Sequence, residues 1–317
     1  MIVTKAERIK CSTLNGIARH HAQSLVSLAE TAYAGSLSLL CKDLILQHRN
    51  IVFITGPSGS GKTTTALRLM ALLRENGKRA VGISLDNFYL PREQIPFWEG
   101  ERRNYETIDA LDLAEIARCA DELRRFGRTH LPVFNFAKGG RQLERAELRC
   151  DAETFLVVEG IHALNPRLTG LFDTTSACKV YVSAHTDFVD DEGAFILMAQ
   201  ELRLVRRLLR DLTERNVPID ETLDIWDDVC RGERAYIRPF RGNADVHINS
   251  THCYEPLLYK PFFTALMEQQ QPDPKFASLI DELLGAFAYF DSISASLLPE
   301  NSLLREFLPH TDPPVKL

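Results

Sequence analysis

An α/β fold, built on a mostly parallel sheet with helices on both faces, is the class this sequence predicts. Three observations carry it. Short apolar, β-branched runs recur along the chain: IVFIT from Ile51, AVGIS at 80–84, FLVVE at 155–159, KVYVS at 179–183 and VHIN at 246–249. Helical periodicities lie between several of them, the alternation expected of parallel strands joined by crossover helices. The first run leads straight into GPSGSG and then KTTTALRLMALLREN, which reads as strand, glycine loop and a helix closed by Gly77.

Taken in order, residues 22–47 are rich in Leu, Ala and Ser at three- and four-residue spacings, predicting one or two helices interrupted near Gly35. LPVFNF at 131–136 is expected as an edge strand, because Pro132 cannot donate to a central ladder. ELRLVRRLLRD is an amphipathic helix and the start of a helical lid. Beyond residue 254 the pattern is a helical tail, broken at Pro272 and Pro274. The expected organisation is an N-terminal helical segment at 1–49, a nucleotide-binding domain at 50–253 with its lid around 190–240, and a C-terminal helical extension at 254–317.

A chain of 317 residues, 45% hydrophobic, has enough apolar material for one large core and an appendage. Its net charge of −6 argues against broad nucleic-acid or anionic-membrane binding, so any phosphate must be held by local groups. Seven cysteines without a CxxC pair suggest neither a disulfide framework nor a zinc site, and a reducing cytoplasm is the expected compartment. The N-terminus MIVTKAERIK lacks a signal-peptide apolar region, and the uncharged stretch from Thr31 to Cys41 falls far short of a membrane span.

Gly56-Pro57-Ser58-Gly59-Ser60-Gly61-Lys62-Thr63 matches G-x-x-x-x-G-K-[ST] between a strand and a helix, where the phosphate-cradling mechanism requires it. The glycines let backbone N–H groups turn inward on phosphate oxygens, and the helix N-terminus adds its positive pole. Lys62 is expected on the β- and γ-phosphates of ATP or GTP, and Thr63 on Mg²⁺. Gly56, Ser58, Gly59, Ser60, Gly61 and Thr64 complete the nucleotide contacts. Four fixed positions coincide by chance in only about one chain per hundred of this length.

The acceptor side distinguishes a kinase from other nucleotide hydrolases. Asp86 follows the strand AVGIS at the carboxyl edge of the sheet, where it could accept a proton from an attacking hydroxyl; the alternative is a solvated turn aspartate. Glu159 ends FLVVE, in position to hold Mg²⁺ directly or through water. Arg203, Arg206, Arg207 and Arg210 share one helix face. They form either a salt-bridged surface or a lid that sets guanidinium groups over the transferring phosphate.

Read together, GPSGSGKT, SLDNFY, NYETIDALD, LPVFNF, VVEGIHALNPRL, RLVRRLLRD and ADVHIN resemble the uridine kinase/phosphoribulokinase family of P-loop kinases across roughly residues 50–250. NSLLREFL resembles the C-terminal tail of a bacterial uridine kinase-like branch. The resemblance implies Asp86 as catalytic base, Lys62 and Thr63 on the nucleotide, Glu159 near Mg²⁺, and Arg203, Arg206 and Arg210 in the lid. It implies Glu106 on an acceptor ribose, Tyr89 facing the acceptor, and Phe134, Phe136 and Arg141 lining the base site. Gly139 stands where relatives carry a base-reading histidine, and Asn87 where many carry a second aspartate. The implied activity is transfer of a γ-phosphoryl group to a nucleoside such as uridine or cytidine. The alternatives are a nucleoside monophosphate or sugar phosphate as acceptor, or a non-catalytic nucleotide-binding regulator. The expected partner is a small-molecule acceptor, with neither nucleic acid nor membrane, and homo-oligomerisation is left open.

Overall fold

The computed structural model describes residues 7–100, 102–135 and 140–308. Strand β1 (Glu7–Lys10) runs directly into the long helix α1 (Cys11–Leu46), followed by β2 (Ile51–Thr55), α2 (Lys62–Glu75), β3 (Arg79–Ser84) and α3 (Leu113–Phe126). A hairpin of β4 (Arg128–Asn135) and β5 (Gly140–Arg149) precedes β6 (Thr154–Glu159), α4 (Pro166–Thr169), β7 (Ala177–Ser183), β8 (Thr186–Val189) and β9 (Phe195–Leu197). Then come α5 (Ala199–Arg215), α6 (Ile219–Asp224), α7 (Trp226–Gly232), β10 (Val246–Asn249), α8 (Glu255–Gln270) and α9 (Ala277–Ala288).

Five parallel strands in the order β10-β7-β2-β6-β3 form the central sheet, so the fold is α/β as the sequence predicts. Alternation along the strands sends side chains to two cores. Val52, Ile54, Phe155 and Val157 face α1, α2, α5, α8 and α9, while Phe53, Leu156 and Val158 face α3 and the loops after β3 and β6. β6 is buried along its whole length, which explains why FLVVE reads as an unbroken apolar run. The sheet places the carboxyl ends of β2, β6 and β3 side by side, with Ile54 opposite Glu159 and Ser84 opposite Glu159 in the registers. The glycine loop, Glu159 and Asp86 thereby reach one edge.

Several elements differ from expectation. Helix α1 continues through Gly35, and its break lies at His21, whose φ and ψ of −140° and 35° interrupt an otherwise helical path. By length and composition α1 could cross a membrane; here Leu14, Val26, Leu37, Leu40 and Leu44 lie in the main core. LPVFN, at 131–135, pairs with β5 in a separate two-stranded sheet rather than edging the central one, and Pro132 sits at a register shift, where its missing donor costs least. β5 was invisible to periodicity because GRQLERAELR is charged and mostly exposed. A third small sheet, β1-β8-β9, pairs β1 in parallel with β8 and contacts α1 and α9.

Candidate functional site

The loop from Gly56 to Gly61 leaves β2, the middle strand, and its backbone explains its glycines. Gly59 and Gly61 hold φ of 73° and 76°, and a Cβ at Gly56 would lie 2.0 Å from the Val182 carbonyl oxygen. α2 starts at Lys62 with no side-chain cap. Among the described residues, the N–H groups of Gly59, Gly61, Lys62 and Thr63 have no backbone acceptor. A ring of unfilled donors at the positive pole of a 14-residue helix fits a polyphosphate. Lys62 and Thr63 line the cleft in front of that ring.

The cleft encloses about 390 Å³ and brings Ser58, Gly59, Gly61, Lys62 and Thr63 together with Asp86, Tyr89, Glu106 and Phe134. Glu159 lies behind Thr63 and is not itself part of the lining: it is 6% exposed and accepts hydrogen bonds from Ser84 Oγ at 2.5 Å and Thr63 Oγ1 at 3.3 Å. Burial, reinforced by the nearby Asp86 charge and opposed by Lys62, raises the pKa of Glu159. A hydroxyl and a carboxylate converging in this way are hard oxygen donors of the kind that suit Mg²⁺. Asp86 sits in the turn 85–88 that follows β3, and among the described residues its carboxylate has no hydrogen bond or ion pair.

Opposite the loop, Tyr89, Tyr105 and Phe134 form an aromatic wall, with ring centroids 6.3 Å apart for Tyr89–Tyr105 and 6.1 Å for Tyr89–Phe134. The Tyr89 hydroxyl donates to the Tyr105 carbonyl at 3.1 Å. Asn87 Oδ1 accepts from the Phe134 N–H at 3.1 Å, so the asparagine in SLDNFY ties the wall to the Asp86 turn. Glu106 lies at the base of the wall, and burial lifts its carboxyl to about 7. Gly232 makes room for it, since a Cβ there would come within 2.2 Å of Glu106 Cβ.

Helix α5 packs on the back of the glycine loop and divides its arginines between two tasks. Arg203 donates to the Ser58 carbonyl at 3.1 Å and pairs with Glu233 at 2.5 Å. Arg206 is fully buried; it donates to the Gly59 carbonyl at 3.0 Å and makes a bidentate pair with Glu255 at 2.8 and 2.6 Å. These two hold the loop's shape from behind and do not line the cleft, a departure from their expected place over the phosphates. Arg210 does line it, joined by Arg207 and Arg215. Arg207 donates to Ser58 Oγ at 2.9 Å, and Asp211 orients both Arg207 and Arg210 at 3.0 and 2.7 Å.

The other expected residues fall as follows. Arg141 is spent on Asp112 at 2.9 Å and the Phe88 carbonyl at 3.1 Å and is not part of the cleft lining. Gly56 and Ser60 shape the loop from within, Ser60 being 1% exposed. Thr64 points to Glu306 of the C-terminal extension, to which its hydroxyl donates. Phe136 and Gly139 lie outside the described residues. Sequence reasoning missed Tyr105, Arg215 and Glu306. Only Arg215 carried a signal, one turn beyond the arginine row.

The sequence of this region also matches known proteins. A sequence model described as Phosphoribulokinase / Uridine kinase family matches residues 51–255. The chain is 30% identical over 205 residues to a uridine kinase of Saccharomyces cerevisiae, covering 63% of this chain and 36% of the yeast protein. It is 28% identical over 200 residues to a uridine kinase of Clostridium botulinum, covering 62% of this chain and 86% of that one. Among solved structures, a D-glycerate 3-kinase from Cryptococcus neoformans aligns with a TM-score of 0.45 at 16% identity, covering 63% of this chain and 88% of that one. A family match spanning the strand, loop, helix unit, both acidic strand ends and the arginine helix assigns the chain to the phosphoribulokinase/uridine kinase family.

Proposed function

We propose that this protein is a kinase that transfers the γ-phosphoryl group of ATP or GTP to a hydroxyl of a nucleoside-like acceptor, giving the 5′-monophosphate. One observation carries the reading: an unengaged carboxylate, Asp86, shares a single cleft with the Lys62 and Thr63 end of the glycine loop and with an aromatic wall that has Glu106 at its base. Lys62 and the unfilled N–H groups bind the β- and γ-phosphate oxygens. Asp86 orients the acceptor hydroxyl and takes its proton as the oxygen attacks phosphorus. Arg207 and Arg210 offset charge on the transferring group, and α5 behind them keeps water from the loop. Thr63 and Glu159 would hold Mg²⁺, which supplies charge neutralisation along the polyphosphate.

Tyr89, Tyr105 and Phe134 offer a planar base an apolar surface, and Glu106 offers a ribose diol an acceptor. A second hollow of about 410 Å³, on the other flank of the loop, is lined by Pro57, Tyr181, His185, Gln200, Arg203 and Arg241 and suits the donor's base and sugar. A neutral acceptor is favoured because Arg141 is already paired while Glu106 faces the acceptor. A sugar phosphate or nucleoside monophosphate remains the second reading, supported by Arg92, which lines both the cleft and an adjoining hollow of about 670 Å³.

The test is acceptor-dependent ADP release measured with ATP and Mg²⁺ over a panel of nucleosides, nucleoside monophosphates and sugar phosphates. Release with nucleosides supports the proposal. Release with phosphorylated acceptors alone moves it to the second reading, and no acceptor-dependent release with any class contradicts a kinase. Gly139, in place of a base-reading histidine, further predicts that uridine is not uniquely preferred among nucleosides; a steep preference for uridine and cytidine over every other nucleoside would contradict that part.

A further inference from the structure

Glu306 reaches the phosphate end of the cleft from a segment more than 200 residues away from the loop in sequence, and the transfer chemistry above gives it no part. It lies in the helical turn Leu303–Phe307, which is fixed on every side. Leu303, Leu304 and Phe307 are each 0% exposed. Leu303 lies so close over the loop that a Cβ on Gly61 would come within 2.8 Å of it. Phe307 lies 5.0 Å beneath the Arg206 guanidinium, and Ser302 caps the turn and donates to the buried Glu30 of α1. The carboxylate is thereby delivered to one place. It accepts the hydroxyl hydrogen of Thr64, lies 3.9 Å from Arg210 Nη1, and lines the cleft beside Lys62 and Thr63.

That place is the first turn of α2, where the helix pole and the arginines favour an anion. A polyphosphate seated on the loop brings its own negative charge to the same groups. We propose that Glu306 is a further residue of the nucleotide site, a built-in carboxylate that competes with the polyphosphate for Thr64 and Arg210 and so weakens nucleotide binding. The inference rests on reading the loop as a polyphosphate site. It makes the C-terminal turn a determinant of nucleotide affinity and product release, since ADP is expelled more readily with a like charge beside it.

Calorimetric titration of the full chain with ADP and with adenosine tests this in wild type, Glu306→Gln and Arg305→Gln. Arg305 is on the same turn but donates to the Leu298 and Pro299 carbonyls away from the cleft. Glu306→Gln keeps the Thr64 contact and removes the charge. It should bind ADP about tenfold tighter, the gain shrinking at high salt, with adenosine unchanged. Arg305→Gln should leave ADP affinity at the wild-type value. Unchanged or weaker ADP binding in Glu306→Gln overturns the inference alone, as does equal tightening in Arg305→Gln, which would mark a loosened turn rather than a lost charge. Absence of ADP binding in all three proteins overturns the nucleotide reading with it.

Discussion

Asp86 is the residue whose role is narrowest, because a carboxylate at the end of β3 without a protein partner among the described residues has little structural work to do. Asparagine keeps its shape and cannot take a proton, so Asp86→Asn should lower kcat by about 10²–10⁴-fold, equal to roughly 3–5 kcal/mol of barrier. ADP affinity and melting temperature should stay at wild-type values; a lowered melting temperature with normal kcat per folded molecule would make it a turn residue. Lys62→Ala should abolish turnover while the fold persists, since Lys62 lines the cleft rather than the core. Glu106 adds a pH dependence. Its carboxyl is raised to about 7, so as pH falls below that value it gains a proton, weakens as an acceptor for ribose hydroxyls, and the acceptor KM should rise. The same shift has an opposite sign for folding: the stability penalty of ionising Glu106 grows as pH rises from 4.5 through 7. Glu106→Gln should flatten the KM profile in that range, and an unchanged profile would place the titrating group elsewhere.

At the scale of elements, α5 shows what sequence could and could not say. The row Arg203, Arg206, Arg207, Arg210 was legible as one face, and so were the glycine loop, Asp86 and Glu159, because each depends on near neighbours along the chain. Which arginine faces the phosphates was not legible. It depends on Ser250 just after β10, on Glu255 at the start of α8 and on Glu233 after α7. The β4–β5 hairpin and Glu306 were hidden for similar reasons, the first by an exposed charged strand and the second by a contact across 242 positions. The division of labour predicts opposite phenotypes. Arg206→Ala removes the guanidinium partner of the buried Glu255 and should cost about 3–5 kcal/mol in denaturant unfolding. Arg207→Ala, at the cleft, should lower kcat with little change in unfolding. Matching losses of stability in both would mean that α5 is structural throughout.

In the whole molecule, the terminal segments are built into the loop's support. Glu30 of α1 accepts from Tyr254 at 2.8 Å and from Ser302, and faces His252 at 3.6 Å, joining the N-terminal helix, the entry to α8 and the C-terminal turn. Burial alone would raise Glu30, but hydrogen bonds and charge from His252, with help from Ser302 and Tyr254, outweigh it and hold the carboxyl at about 2. A pKa depressed from 4.5 contributes stability that is complete above about pH 4.5 and is lost as pH falls toward 2, up to about 3 kcal/mol. Glu30→Gln should therefore melt lower than wild type at pH 6, with the gap closing toward pH 3; a constant gap would remove the ionised carboxylate from the account. The central claim concerns phosphoryl transfer itself. Wild-type protein incubated with Mg²⁺, γ-labelled ATP and a mixture of nucleosides should place the label in a nucleoside 5′-monophosphate, whereas label found only in inorganic phosphate or retained in ATP would contradict the proposed nucleoside kinase.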